Sequence, residues 1–342
     1  MIMKRGLIAV AFALPFLGSA QDIHFSQTAQ TPLLINPACA GVYDGWERVV
    51  VNHRNQWLGA GTQFMTSVVA ADANFGKNRD NSKAHMGLGL LFYNDIGGDS
   101  RFGNQTGAIT LSGILPMGKT GHILSAGIQG GFGNRTADYS KLSFSSQWSG
   151  GGFDQTIASG EAASASFRYI DASAGIYYVY DGGKSTFARN NDFKLQLGVS
   201  GYHLNRPVLK YATVNGDRMY SKFVFHGAVT TDLADTDWSL DASVLEFIQG
   251  PHLETMLGMM FKYRFKDGTK ITGYSQDAYF GFGAYYRLND AVIPSIMVDF
   301  RGFRFGVSYD ATVSSMVRAY KGGSIEFSLS YTNLSHALFK KR

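Results

Sequence analysis

Residues 277–312 read DAYFGFGAYYRLNDAVIPSIMVDFRGFRFGVSYDAT, and ten residues later 323–332 read GSIEFSLSYT. Phe280, Phe282, Ala284, Tyr286 and Leu288 alternate with Gly281, Gly283, Tyr285 and Arg287. Val292, Ile296, Val298 and Phe300 then alternate with Ser295, Asp299 and Arg301. Phe303, Phe305, Val307 and Tyr309 alternate with Arg304, Gly306, Ser308 and Asp310, and Ile325, Phe327, Leu329 and Tyr331 with Glu326, Ser328, Ser330 and Thr332. A period of two over about ten residues, four times running, specifies strands and not helices. One face carries no charge; the other carries both signs. Parity also sets the turns. Phe300 and Phe303 share a face, as a two-residue Arg301-Gly302 hairpin demands. Leu288 and Ala291 do not, so Asn289-Asp290 belongs to a three-residue loop, with a bulge expected there. Pro294 lacks a donor and is expected at a bulge or at a membrane boundary.

The same alternation runs through most of the chain. Strands are expected at 46–57, 64–75, 86–92, 104–115, 122–132, 167–180, 192–203, 220–233, 238–247 and 253–265, which with the four above makes about fourteen. The longest break, 134–164, is rich in Ser and Gly and is read as a loop. With both chain ends at one side, the connections 116–121, 234–237 and 301–302 fall together and are short. Those at 134–164, 204–218 and 313–322 fall at the other side and are long, although 249–252 and 289–291 fall there too and are short. Inward-facing Lys194, Asp241, Lys262, Arg264, Arg287, Asp299, Arg301, Arg304, Asp310 and Glu326 either pair across a narrow lumen or line a solute path.

Composition selects the architecture. Aromatic residues are 14% of the chain, there are 41 glycines, and mean hydropathy is −0.08. After residue 20 no apolar run is long enough for a spanning helix. A soluble β-sandwich rarely needs this many strands without domain breaks. A transmembrane antiparallel β-barrel fits all three facts: alternation lowers mean hydropathy, aromatics supply girdles, and glycine suits a crowded inner wall. The fold class is therefore all-β.

Residues 1–20 carry Lys4 and Arg5, an apolar run from Leu7 to Leu14, and Gly18-Ser19-Ala20 before Gln21. That is the pattern of a cleaved export signal. Removal of Lys4 and Arg5 lowers the formal charge from +5 to +3, too small for a nucleic-acid binder. Residues 21–45 contain Pro32 and Pro37, do not alternate, and read as an extended or plug segment. The barrel is assigned to 46–332 and a tail to 333–342. A single cysteine, Cys39, excludes an internal disulfide.

Catalytic chemistry is not expected. Gly113-Ile-Leu-Pro-Met-Gly118-Lys119-Thr120 matches a phosphate loop, but the following GHILSAGIQGGF alternates and offers no helix amino terminus to cradle a phosphate. The eight histidines lack metal-ligand spacing, and no nucleophile-elbow motif occurs. No cofactor or metal is expected.

Several stretches together resemble a known family. They are Gln21-Asp-Ile-His-Phe-Ser-Gln27, Asn36-Pro37, the element with Arg54, Gln56 and Trp57, the run Arg287-Leu-Asn289-Asp290-Ala-Val-Ile-Pro294, and the run ending in Tyr309-Asp310. This combination is similar to the PorP/SprF family of outer-membrane proteins of Bacteroidota. The resemblance implies an outer-membrane barrel of the type IX secretion system. Such a barrel acts in the machinery or with secreted surface proteins such as gliding adhesins, through their carboxy-terminal domains. It implies no catalytic residue. The partners expected are such a secreted protein or secretion components, and outer-membrane lipid. A small-solute pore is the rival reading. Outer loops are the expected contact, with Trp148, Phe153 and Tyr211 as candidate partner-binding residues.

Overall fold

A computed structural model describes residues 22–58, 64–78, 81–118, 121–160, 164–182, 193–209, 218–266, 277–314 and 322–334. Tyr211, the signal at 1–20 and most of the tail lie outside these residues. Fourteen strands close into one antiparallel barrel. They are β1 (Glu47–Gln56), β2 (Phe64–Phe75), β3 (His85–Gly97), β4 (Phe102–Pro116), β5 (His122–Asp138), β6 (Ser164–Asp181) and β7 (Phe193–Tyr202). The others are β8 (Lys222–Asp232), β9 (Trp238–Gln249), β10 (His252–Lys266), β11 (Ala278–Arg287), β12 (Ala291–Phe300), β13 (Phe303–Thr312) and β14 (Ser324–Thr332). Each strand pairs with its sequence neighbours, and β1 pairs with β14 from Arg48↔Thr332 to Asn55↔Ile325. Closure satisfies the backbone and leaves no edge, which a lipid environment requires.

Side-chain parity follows the sequence. Phe280, Phe282, Tyr286, Phe303, Phe305, Phe327 and Leu329 point outward. Ile170, Leu253 and Ile128 are 70%, 65% and 63% exposed. An apolar belt this bare is covered by lipid and not by water. Gly113–Pro116 belongs to β4, so the phosphate-loop match is a strand end followed by a turn and then β5.

The hairpin expectations divide. Phe300 pairs with Phe303, and Arg301 (φ 53°) and Gly302 (φ 83°) form the two-residue turn with both residues left-handed. Arg301 therefore sits at a turn tip over the Phe300 ring, not in the lumen. Arg287 pairs with Ala291 across a three-residue loop in which Asn289 (φ 58°) takes the left-handed position. No bulge accompanies it; the register shift lies instead between Arg264 and Lys266. Pro294 points outward within β12, opposite Ala284, and the β12–β13 ladder lapses at Ile293 and Pro294 because proline supplies no donor. The expected loop at 134–164 is shorter than read: Asn134–Asp138 pair with Ser164–Arg168 as continuous strand.

The barrel has a near mouth, where β1 begins and β14 ends, and a far mouth, where β1 ends. The long connections 139–163 and 203–221 lie at the far mouth. Residues 22–42 lie inside the barrel and supply its core. Phe25, Leu33 and Ala40 pack with Val50, Val68, Leu91 and Tyr93. Ile35 packs with Tyr202, Val224, Leu245 and Ile293, and Ala38 and Cys39 with Ile114, Ile123, Tyr177 and Val179. Fully burying an aliphatic side chain such as Leu33, 1% exposed, contributes about 1.5–3 kcal/mol. The wall is pared back to admit the segment. A Cβ at Gly127 would lie 2.6 Å from the Pro37 carbonyl carbon, and one at Gly175 would lie 2.1 Å from Asn36 Oδ1.

The segment also traverses the lumen. Gly41 contacts Asp72, and Ala40 contacts Ser112 and Gly87, at the near end. Asn36 reaches Ile176 and Val199 at mid-height. Ser26 meets Arg54, Arg287 and Asp310 near the far mouth, and Asp22 meets Lys222 and Gln249 there. The expectation that both chain ends lie at one side is thus corrected: the segment enters β1 at the near mouth but starts at the far one. Its three short helical turns, Thr28–Gln30, Pro32–Ile35 and Pro37–Cys39, keep its backbone bonded within the bore.

Candidate functional site: a latch at the far mouth of the lumen

Four strands deliver charges to one point. Arg54 (β1), Arg287 (β11), Asp310 (β13) and Glu326 (β14) are each less than 5% exposed. Period-two alternation aims all four inward. Asp310 is shared: Arg54 Nη2 and Arg287 Nη2 each lie 2.9 Å from its Oδ2. The Ser26 hydroxyl donates to the same carboxylate at 2.9 Å and accepts from Arg287 Nη2 at 2.8 Å and Arg54 Nη1 at 3.3 Å. Glu326 has no basic partner among the described ion pairs. Its carboxylate instead accepts from the Ser26 amide (2.7 Å), the Gln27 amide (2.9 Å) and Asn52 Nδ2 (3.0 Å). Charge-assisted bonds of this kind are the strong class. Arg287 also reaches Asp290 of the 288–290 loop at 2.9 Å and Glu254 at 3.5 Å. The result ties the tip of the amino-terminal segment to β1, β11, β13, β14 and one rim loop.

His24 lies 3.8 Å from Glu254, yet this is not an ion pair at neutral pH. Burial, reinforced by the positive charges of Arg54 and Arg287, holds the imidazole pKa well below its usual value.

A second node fixes the first described residue. Lys222 Nζ lies 2.8 Å from Asp22 Oδ2, His203 Nε2 3.4 Å from the same oxygen, and His203 Nδ1 2.9 Å from Asp171. Burial alone would lift the Asp22 pKa, but Lys222 and His203 outweigh it and hold the carboxyl well below its usual range. Burial likewise opposes charge on His203, but hydrogen bonds and charges from Asp171 and Asp22 raise its pKa to about 9. A raised histidine pKa stabilises the folded node fully below the ordinary value of about 6.5 and loses that contribution as pH rises through about 9. The depressed Asp22 pKa stabilises it above the ordinary carboxylate value and fails as pH falls below that. The tip is therefore expected to loosen between pH 7 and 10. Limited proteolysis of the segment should accelerate over that range, and His203→Gln should flatten the profile.

Asn36, at mid-lumen, caps the Pro37–Cys39 turn by accepting from the Ala38 amide at 2.9 Å, while its Nδ2 donates to the Ile176 carbonyl at 2.9 Å. Pro37 occupies the first position of that turn. Of the residues singled out by sequence, Arg54, Arg287, Asp290 and Asp310 meet in one cluster. Gln56 ends β1, and Trp57 (φ 59°) stands edge-on to Phe64 at 4.7 Å between ring centroids, both at the rim. Asn289 shapes the rim loop. Tyr309 faces outward beside Pro294, with its hydroxyl 3.3 Å from the Gly323 amide. Trp148 and Phe153 pair across a two-residue hairpin within 139–163 at a centroid distance of 6.1 Å, and Trp148 is 65% exposed. Sequence reasoning gave no role to Ser26, Asp22, His203 or Lys222: the first two lie in the Gln21–Gln27 stretch that carries the family resemblance, and the last two near the ends of strands expected from alternation.

Elsewhere the inward charges pair along the wall: Lys262 with Asp241 (2.9 Å), Arg304 with Asp299, Arg264 with Asp237 (3.5 Å), and Lys194 with Asp44 (3.7 Å) and Asp181 (4.0 Å). Among the described residues, no group of three or more His, Cys, Asp or Glu is placed to hold a metal ion.

A family model described as type IX secretion system membrane protein PorP/SprF matches residues 17–331. Among curated proteins, none matches the chain. Similar solved structures are outer-membrane proteins at low identity. The toluene transporter TodX of P. putida is 11% identical, with a TM-score of 0.45 over 89% of this chain and 94% of that one. The translocator domain of the autotransporter NalP from Neisseria meningitidis is 12% identical, with a TM-score of 0.41 over 89% and 94%. The KdgM porin is 6% identical, with a TM-score of 0.38 over 83% and 98%. These likenesses are distant and say nothing of function.

Proposed function

The chain belongs to the PorP/SprF family of type IX secretion system membrane proteins, and from that premise we propose that it is a non-enzymatic barrel that binds a secreted surface protein and holds it at the cell surface. It is an outer-membrane β-barrel of that system. The signal at 1–20 is removed on export. The near mouth faces the periplasm and the far mouth the exterior, because outer-membrane barrels keep short turns on the periplasmic side and long loops outside.

The observation that favours holding over conduction is the occupied lumen. Residues 22–42 fill its core, and its described inward charges are of both signs, most of them in ion pairs and Glu326 held by hydrogen bonds, rather than arrayed as a ring of one sign. In this reading Arg54, Arg287, Asp290, Asp310, Asn36 and Pro37 keep the segment in place. Gln56, Trp57, Asn289, Pro294 and Tyr309 shape the rim. Cargo contact falls to the far loops, with the Trp148–Phe153 pair as an exposed aromatic anchor and Tyr211, outside the described residues, as a further candidate. A core-machinery role, with periplasmic components at the near mouth, is the second reading; Asp44 there is well exposed.

The test is recovery of partners from membranes through a carboxy-terminal tag. A secreted surface protein should co-purify, and Trp148→Ala with Phe153→Ala should cut its recovery about tenfold, as expected for loss of a central aromatic anchor. Recovery of periplasmic secretion components alone would favour the machinery role. Recovery of neither, with steady ion conductance by the pure protein, would favour the pore.

A further inference from the structure

We infer that the lumen is a polypeptide-binding site which the chain fills with its own amino-terminal segment, and which accepts another polypeptide of the same irregular, short-turned form in that segment's place. The argument rests on what the wall touches. Successive carbonyls along the segment accept from wall hydroxyls: Leu33 from Tyr202 (3.0 Å), Ile35 from Ser200 (2.6 Å), Ala38 from Ser125 (2.7 Å) and Ala40 from Ser112 (2.7 Å). Amides donate to wall carboxylates: Ser26 and Gln27 to Glu326, and Gly41 to Asp72 at 2.8 Å. The Asp22 amide donates to Gln249 at 3.0 Å. These are main-chain groups, which every polypeptide carries. Affinity from main-chain bonds, with specificity from a few pockets, is how sheet-based peptide-binding sites work.

The steric record agrees. A Cβ at Gly87 would lie 2.3 Å from the Ala40 carbonyl oxygen, and one at Gly127 would lie 2.6 Å from the Ala38 amide nitrogen. Glycine at these wall positions lets a ligand backbone approach closely. Side-chain selectivity comes from a carboxylate at Lys222 and His203, a small hydroxyl at the Asp310 node, an amide at Ser328, buried apolar side chains at 25, 33 and 35, and an Asn-Pro turn at 36–37. The segment joins the barrel covalently only at the near mouth, so it leaves in that direction without a ladder bond breaking. The ligand class is a polypeptide that, like the segment, runs its backbone against Gly87 and Gly127 and breaks into short turns rather than forming a strand.

A protease site placed at Asp44–Gly45 tests this in the folded protein. After cleavage, a fluorescent synthetic peptide of residues 22–43 should exchange into the bore and saturate, while uncut protein takes up none. N-methylation of Ser26, Gln27 and Gly41 in the peptide should weaken uptake at least about tenfold, because each bond lost is to a charged acceptor. Replacing Thr28 and Ala29 by other small residues should change uptake less than about threefold. A barrel lacking 22–43 altogether should bind the peptide at least about tenfold more tightly than the intact chain, whose site is already filled. Equal uptake by cut and uncut protein, or N-methylated peptide binding like its parent, would overturn the inference. No secreted protein takes part, so this result and the cargo reading fail separately.

Discussion

Excision of residues 22–45 is expected to turn the barrel into an ion-conducting pore, raising single-channel conductance in planar bilayers roughly tenfold or more over the intact protein. Three buried clusters, each including side chains of the segment, occupy the bore. Without them the bore keeps its glycines, serines and charges beside the apolar wall residues of those clusters, such as Val50, Leu91, Tyr202 and Ile123, and the space the segment filled is open to water. The hydrogen-bond ladder does not include the segment, because every ladder bond runs between strands and β1 closes on β14. The folded variant should therefore keep its heat-modifiable migration on gels. Equal conductance of excised and intact forms would mean that the segment does not close the lumen.

Asp310→Ala is expected to be the most damaging single substitution in the latch. It leaves Arg54 and Arg287 buried without the carboxylate they share and deprives the Ser26 hydroxyl of its acceptor. Removing one member of a buried pair costs about 3–5 kcal/mol, because the stranded charge is still desolvated. Asp290 and Glu254 remain near Arg287, which places the expected loss at the lower end, about 3 kcal/mol. Urea unfolding from lipid vesicles measures it. Asp310→Asn should fall between the two, keeping an acceptor but not the charge. A loss under about 1 kcal/mol, the size of an exposed ion pair, would show that the cluster does not fasten the segment.

The strands were legible because lipid outside and a filled bore inside impose opposite chemistry on alternate residues. Phe280 to Tyr286 and Phe303 to Tyr309 show it most cleanly. Alternation in the sequence ends at Phe132, short of the strand's end, because Asn134–Asp138 lie beyond the apolar belt. There the outward face is no longer apolar, although the ladder with Ser164–Arg168 continues. The Arg301-Gly302 turn was legible from parity alone; the missing bulge at 288–290 was not, because a left-handed Asn289 absorbs the turn without a register shift. The latch was half legible. Arg54, Arg287 and Asp310 stood out singly, but their meeting depends on register across strands far apart in sequence. Ser26, which joins them, lies some 300 residues from Glu326 and carries no periodic signal. The direction of the segment through the bore was likewise set by long-range contacts alone.

That direction puts the amino-terminal tip at the far mouth, the one proposed to face the exterior and the cargo. A short epitope inserted between Gln21 and Asp22, probed with antibody on intact cells, tests it directly. The tip at the far mouth requires that the epitope be detected on unbroken cells, while a tag on the carboxy terminus, beyond β14 at the near mouth, stays hidden until the outer membrane is permeabilised. Detection of the amino-terminal epitope only after permeabilisation would contradict a segment that runs through the lumen to the outside.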